Sequence, residues 1–109
     1  MYQILKGLDY ANSKGVMHRD LKPDNIAIDH PNRKLTILDW GLGTFYLPDK
    51  EYSHDQRARV YFTPELKFGK KIYNYAIDIW CLGHIFAEML FLTDKPFADG
   101  HRNSNQGKL

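Results

Sequence analysis

Apolar residues recur at helical spacing near the start of the chain. Ile4, Leu5, Leu8 and Ala11 fall on one stripe, which predicts a helix over 2–14. Gly15 follows where a helix C-terminus favours a left-handed residue. Val16 and Met17 begin a short extended piece. Residues 18–25 are dense in polar groups and contain Pro23, so they read as a loop. Two short apolar runs, Ile26–Asp29 and Leu35–Leu38, flank the turn-forming set His30, Pro31, Asn32 and Arg33, and the pattern predicts a β-hairpin over 26–38. From Asp39 to Glu65 no period is sustained, and a loop of that length is usually functional or disordered. Residues 76–92 are the strongest helix candidate. Their apolar positions run around the whole circumference, so the helix calls for burial on every side. The other predicted elements are small and the tail 93–109 is polar, so the expected cover lies in sequence beyond these residues. No internal repeat is visible.

Composition refines this picture modestly. At 109 residues the chain holds one domain at most. A formal charge of +2 does not point to nucleic acid. The charge is uneven, however: between His54 and Lys71 the cations Arg57, Arg59, Lys67, Lys70 and Lys71 face only Asp55 and Glu65. That segment is either a solvated basic face or a surface for phosphate or acidic peptide. Cys81 is the only cysteine, so no internal disulfide forms. The stretch 76–92 is interrupted by Asp78, His84 and Glu88 and is too short and polar to span a bilayer. No signal peptide or Asn-x-Ser/Thr sequon is present, and neither membrane nor nucleic acid is expected as a partner.

Chemistry concentrates in three places. His18-Arg19-Asp20-Leu21-Lys22-Pro23-Asp24-Asn25 fits the protein-kinase catalytic-loop pattern H-R-D-L-x-x-x-N at every specified position. Asp39-Trp40-Gly41 stands where kinases carry D-F-G, and Pro64-Glu65 matches the end of A-P-E. The order and the intervening hairpin make the set specific where a lone H-R-D is not. Phosphoryl transfer asks a protein for a positioned hydroxyl, metals on the phosphates and compensation of negative charge. Asp20 can accept the hydroxyl proton, and Lys22 can reach the transferred phosphate. Asn25 and Asp39 offer neutral and anionic oxygens to Mg²⁺. Asp78 lies in the first turn of the last helix, where the helix dipole favours an anion, so simple capping is one reading of it. Cys81 and His84 read as core packing.

The chain resembles the serine/threonine protein kinases, and within them the casein kinase II catalytic (alpha) subunit. The likeness runs through Asp39-Trp40-Gly41-Leu42, Phe45-Tyr46, Pro48 and Glu51-Tyr52. It continues upstream in Tyr2-Gln3-Ile4-Leu5-Lys6 and Leu8-Asp9-Tyr10. Downstream it takes in Arg59, Pro64-Glu65-Leu66, Tyr73, Tyr75, Asp78 and Trp80. It needs no gap and covers nearly the whole chain.

The resemblance implies an α+β fold, the mainly helical part of a kinase C-lobe with a small catalytic-loop hairpin, and an activation segment over 39–65. It implies Asp20 and Lys22 as catalytic, Lys22, Asn25 and Asp39 toward ATP (or GTP), and Asn25 and Asp39 toward Mg²⁺. His18, Arg19, Trp40, Gly41, Glu65 and Asp78 would be supports. Among them His18 packs under Trp40, Arg19 binds an activation-segment phosphate in many kinases, and Asp78 holds the catalytic-loop backbone. Lys22 is the serine/threonine form of the loop. The family phosphorylates Ser/Thr near acidic residues, pairs with a dimer of regulatory beta subunits, and would place the protein in nucleus and cytoplasm. Arg57 and Arg59 are the candidates for substrate recognition. Asp55 and Phe62 stand where the family has cations, and Thr63 replaces a glycine, so a softened acidic preference is expected. The Gly-rich loop, the strand-three Lys, the helix-C Glu and the later helices of the family have no counterpart in these residues. A catalytically inactive remnant acting at most as a binding fragment is the alternative expectation, and a basic peptide-binding module a third.

Overall fold

The computed structural model describes residues 1–53 and 63–91. Helix α1 spans Tyr2–Ser13, one residue short of the span read from periodicity. It buries Ile4, Leu8 and Ala11, one stripe of the cylinder, while Leu5 lies beside that stripe and is 44% exposed. The helix stops where expected: Gly15 adopts φ +78°, and its N–H reaches back to the Asn12 carbonyl at 2.9 Å.

Strand β1, Val16–Met17, pairs antiparallel with β4, Thr44–Phe45, in the register Val16↔Phe45 and Met17↔Thr44. Between them β2, Ile26–Asp29, and β3, Lys34–Ile37, form the predicted hairpin, paired from Ile26↔Ile37 to Asp29↔Lys34. Its turn is closed locally. The Asp29 carboxylate accepts from the Asn32 N–H at 3.2 Å and from the Asn32 amide at 2.8 Å, which holds Asp29 below the usual carboxylate range. Gln3 of α1 then pins the hairpin edge, accepting from the Leu35 N–H at 2.9 Å and donating to the Arg33 carbonyl at 2.8 Å.

Residues 39–53 are not wholly irregular. A 3₁₀ turn, Trp40–Leu42, precedes β4. Pro64-Glu65 opens the short helix α2, Pro64–Lys67, which Gly69 ends at φ +75°. Helix α3, Ala76–Phe91, is the spine of the described structure. Asn74 caps it, its side-chain oxygen accepting from the Ala76 N–H at 2.9 Å.

Two apolar clusters meet on α3. Cys81, Leu82 and Ile85 pack with Ile4, Leu8 and Leu21, and Ile26, Leu35 and Ile37 of the hairpin close that cluster. Ile77 packs with Met17, Tyr52 and Tyr73 in the second. On the opposite side of α3, Ile79, Trp80, Phe86, Met89, Leu90 and Phe91 are exposed, from 40% to 66%. Among the described residues only one face of the helix is in a core, as expected from the small size of the other elements. No helix of the described residues is long and apolar enough to cross a membrane.

Candidate active site

The loop between β1 and β2 is held from below by residues that alternate between core and cleft. His18 and Leu21 are wholly buried, and Asp20 and Asn25 nearly so, while the Lys22 side chain stays one-third exposed. Leu21 is an apolar anchor in the α1–α3 cluster, so the residues on either side of it, Asp20 and Lys22, are fixed in place.

The deepest support comes from sixty residues away. The Asp78 carboxylate, buried without exposure, accepts from the backbone N–H of His18 at 2.8 Å and of Arg19 at 2.9 Å. Asn74 caps α3, so capping does not account for Asp78; its two oxygens are spent on the loop. Burial pushes the Asp78 carboxyl above the ordinary aspartate value, and the two N–H donors oppose that shift. Arg19 needs such a clamp because its backbone is left-handed, φ +65°, a conformation that costs a non-glycine residue about 1–2 kcal/mol.

His18 supplies a second brace. Its Nε2 lies 2.9 Å from the Leu38 carbonyl, and its Nδ1 accepts from the Asp20 N–H at 3.2 Å. The two bonds fit the tautomer with its proton on Nε2, which donates to Leu38 while the bare Nδ1 accepts from Asp20. The imidazole meets the Trp40 indole edge to face at 4.5 Å between centroids, and the indole N–H donates to the Ile37 carbonyl at 3.2 Å.

Around Asp20 the polar groups converge. The Asn25 amide donates to the Asp20 carbonyl at 2.8 Å and to Asp20 Oδ2 at 3.2 Å, and Lys22 Nζ stands 3.3 Å from the same Oδ2. Both restraints fall on Oδ2, so Oδ1 is the oxygen free of them. The Asn25 side-chain nitrogen being committed to Asp20, its side-chain Oδ1 is the end left for a ligand. The hairpin then returns the chain to this point: the Leu38 N–H donates to the Asn25 carbonyl at 2.7 Å, and Asp39 comes next. Asp39 is exposed and left-handed, φ +55°, and its Oδ1 accepts from the Gly41 N–H at 3.3 Å. A Cβ at Gly41 would sit 3.2 Å from that same oxygen, which is why a residue without a side chain suits the position.

This arrangement, an aspartate oriented by an amide and an ammonium with a second aspartate delivered alongside by a hairpin, agrees with a comparison of the sequence to known families. The sequence profile of the protein kinase domain matches residues 1–108. The chain belongs to the protein kinase domain family. Its chemistry is accordingly that of a kinase, a transferase of phosphoryl groups, and protein kinases as a family use ATP and Mg²⁺.

The donor set suits that ion. Among the described residues no three His, Cys, Asp or Glu side chains gather as a cage. Mg²⁺ in kinases takes one or two carboxylates and fills its octahedron with phosphate oxygens and water. Asn25 and Asp39, on chain segments joined by the Leu38–Asn25 backbone bond, are the residues of this kinase that could hold it.

Of the other sequence candidates, Glu65 lies in the first turn of α2, half-buried. Arg57 and Arg59 fall outside the described residues. Sequence reasoning missed the Leu38 and Leu42 carbonyls, since backbone acceptors leave no mark in residue identity. It also missed the role of Tyr52 and Tyr73 beneath the kinase loop, because two aromatics at that separation carry no periodic signal.

Proposed function

We propose that this kinase is a serine/threonine protein kinase of the casein kinase II alpha type, transferring the terminal phosphate of ATP (or GTP) to Ser or Thr in acidic surroundings. The observation that carries the reading is the convergence of Lys22 and Asn25 on Asp20 Oδ2. Bound Mg²⁺ would offset negative charge on the phosphates, held by Asn25 and Asp39. Asp20 accepts the proton of the substrate hydroxyl as that oxygen bonds to phosphorus and the bond to the nucleoside diphosphate breaks. Lys22 stands beside it as a counter-charge for the transferred group. Asp78 and His18 keep the loop in this shape.

The acidic preference draws on the family resemblance and on charge. Lys67, Lys70 and Lys71 are exposed, and Lys70 and Lys71 with Glu51, Gly69 and Ile72 line an open cavity of about 400 Å³. Each exposed charge contact contributes only about 0.2–1 kcal/mol, so a preference built from several is graded rather than absolute. Pairing with a regulatory beta-subunit dimer, and residence in nucleus and cytoplasm, complete the reading by resemblance.

The test is a peptide panel offered to the full-length protein with Mg-ATP or Mg-GTP, followed by identification of the phosphorylated amino acid. Phosphoserine or phosphothreonine formed best on acidic peptides is expected. Phosphotyrosine, or preference for basic peptides, would overturn the assignment.

A further inference from the structure

The Arg19 side chain is held in a way the catalytic constellation does not require. Its Nε donates to the Leu42 carbonyl at 2.6 Å, and its Nη1 donates to the Tyr73 hydroxyl at 3.1 Å. Its guanidinium carbon lies 6.0 Å from the centre of the Tyr52 ring. Among the described residues no carboxylate pairs with it; the close ion pair there is Lys22–Asp20. A permanent cation is thus satisfied by a carbonyl, a phenol and an aromatic face.

Those neutral partners are themselves tied to the structure. Tyr52 and Tyr73 are both buried, and their rings pack at 5.0 Å between centroids. The Tyr52 hydroxyl accepts from the Leu47 N–H at 2.8 Å and lies 3.2 Å from the Phe45 carbonyl and 3.3 Å from that of Leu47. The Tyr52 N–H donates to the Lys71 carbonyl at 2.9 Å. Through one guanidinium the residue before Asp20 is therefore joined to the turn after Asp39 and to the approach to α3.

We propose that Tyr73 is a positioning residue for phosphoryl transfer, acting through Arg19 to hold Asp20 and the Asp39–Leu42 turn in mutual register. The proposal rests on the kinase reading above. Among the described residues, Tyr73 carries the only side-chain oxygen that the Arg19 guanidinium meets. Without it the long side chain regains rotamer freedom, and its bond to Leu42 must restrain the turn alone. Arg19 precedes Asp20 in a left-handed backbone, so its motion passes directly into the aspartate.

The experiment is Tyr73→Phe in the full-length kinase, which keeps the ring stack and removes only the hydroxyl. Turnover should fall about tenfold, since a displacement of about 1 Å remote from the reacting atoms can cost up to a hundredfold. The KM for a peptide substrate should stay within about twofold, as expected when substrate affinity is untouched. Arg19→Lys, which keeps charge but loses the fork, should show the same loss, and Tyr73→Phe added to it should cost nothing more. Amide exchange of peptides covering 40–47 gives a readout independent of activity; it should quicken in Tyr73→Phe while that of α1 does not. Unchanged turnover in Tyr73→Phe, or full additivity with Arg19→Lys, would overturn the proposal. The two failures are distinct: absence of transfer in the wild-type protein overturns the kinase reading and the positioning role with it, whereas transfer that is indifferent to Tyr73 overturns the positioning role alone.

Discussion

Replacing Asp78 by alanine removes the shared acceptor of two backbone N–H groups, those of His18 and Arg19, in a place without solvent. Hydrogen bonds to a charged group contribute about 1.5–3 kcal/mol each, so the gross loss is about 3–6 kcal/mol. Part of this is offset, because the buried carboxylate no longer has to be desolvated. A net destabilisation of about 2–4 kcal/mol follows, a large share of the roughly 5–15 kcal/mol that holds a domain together. Asp78→Asn retains one oxygen and should lose about half as much. The effect on turnover should exceed the effect on stability, since the left-handed Arg19 backbone is released next to Asp20. The pH dependence has a definite sign. Burial raises the Asp78 carboxyl in the folded state, so its contribution to stability is fullest below the ordinary aspartate value and declines as pH rises through the folded-state value. Asparagine at 78 should abolish that part of the slope. Melts of the full-length wild type, Asp78→Ala and Asp78→Asn between about pH 4 and 7, with turnover measured well below the melting point, test this. An Asp78→Ala protein that melts within about 1 kcal/mol of wild type and keeps full turnover would refute the reasoning.

Cys81 should resist iodoacetamide in the native full-length protein and react only on unfolding, because burial pushes its thiol up to about 12; labelling at neutral pH followed by mass spectrometry checks this. Thr63 is buried at the start of α2, and among the described residues its hydroxyl has no hydrogen-bond partner and makes no capping bond, so Thr63→Val should be neutral or stabilising by about 1 kcal/mol in a denaturant melt. Expressed as residues 1–109 alone, the chain should melt without cooperativity and aggregate, because the outer face of α3 exposes Ile79, Trp80, Phe86, Met89, Leu90 and Phe91; each large apolar side chain left unburied forgoes about 1.5–3 kcal/mol, and a sharp circular-dichroism transition would contradict this.

Much of the fold near the site was legible because local rules and global packing agree there. The stripe Ile4, Leu8, Ala11 and the terminator Gly15 define α1, and the turn set His30–Arg33 places the hairpin. What the sequence could not convey was non-local. The pairing of β1 with β4 joins two-residue strands too short to carry alternation. The apolar circumference of α3 announced burial but not which face would find it, since no polar stripe breaks its symmetry. For the site, residue identity and order pointed to Asp20, Lys22, Asn25 and Asp39, and the hairpin register explains how the last returns to the others. The link from Arg19 to Leu42 and Tyr73 was invisible because it depends on a positive φ at an arginine, which residue type does not signal.

The central claim is that Asp20, oriented by Asn25 and Lys22, receives the proton during phosphoryl transfer while Asp39 serves the metal–nucleotide. Its most direct test measures turnover with Mg-ATP and nucleotide affinity in the same preparations of the full-length protein, for wild type, Asp20→Asn and Asp39→Asn. Asp20→Asn should lose transfer by about 10²–10⁴-fold, the range for removal of a general base, with nucleotide affinity nearly intact. Asp39→Asn should weaken Mg-nucleotide binding as well as transfer. Wild-type turnover in Asp20→Asn would contradict the account.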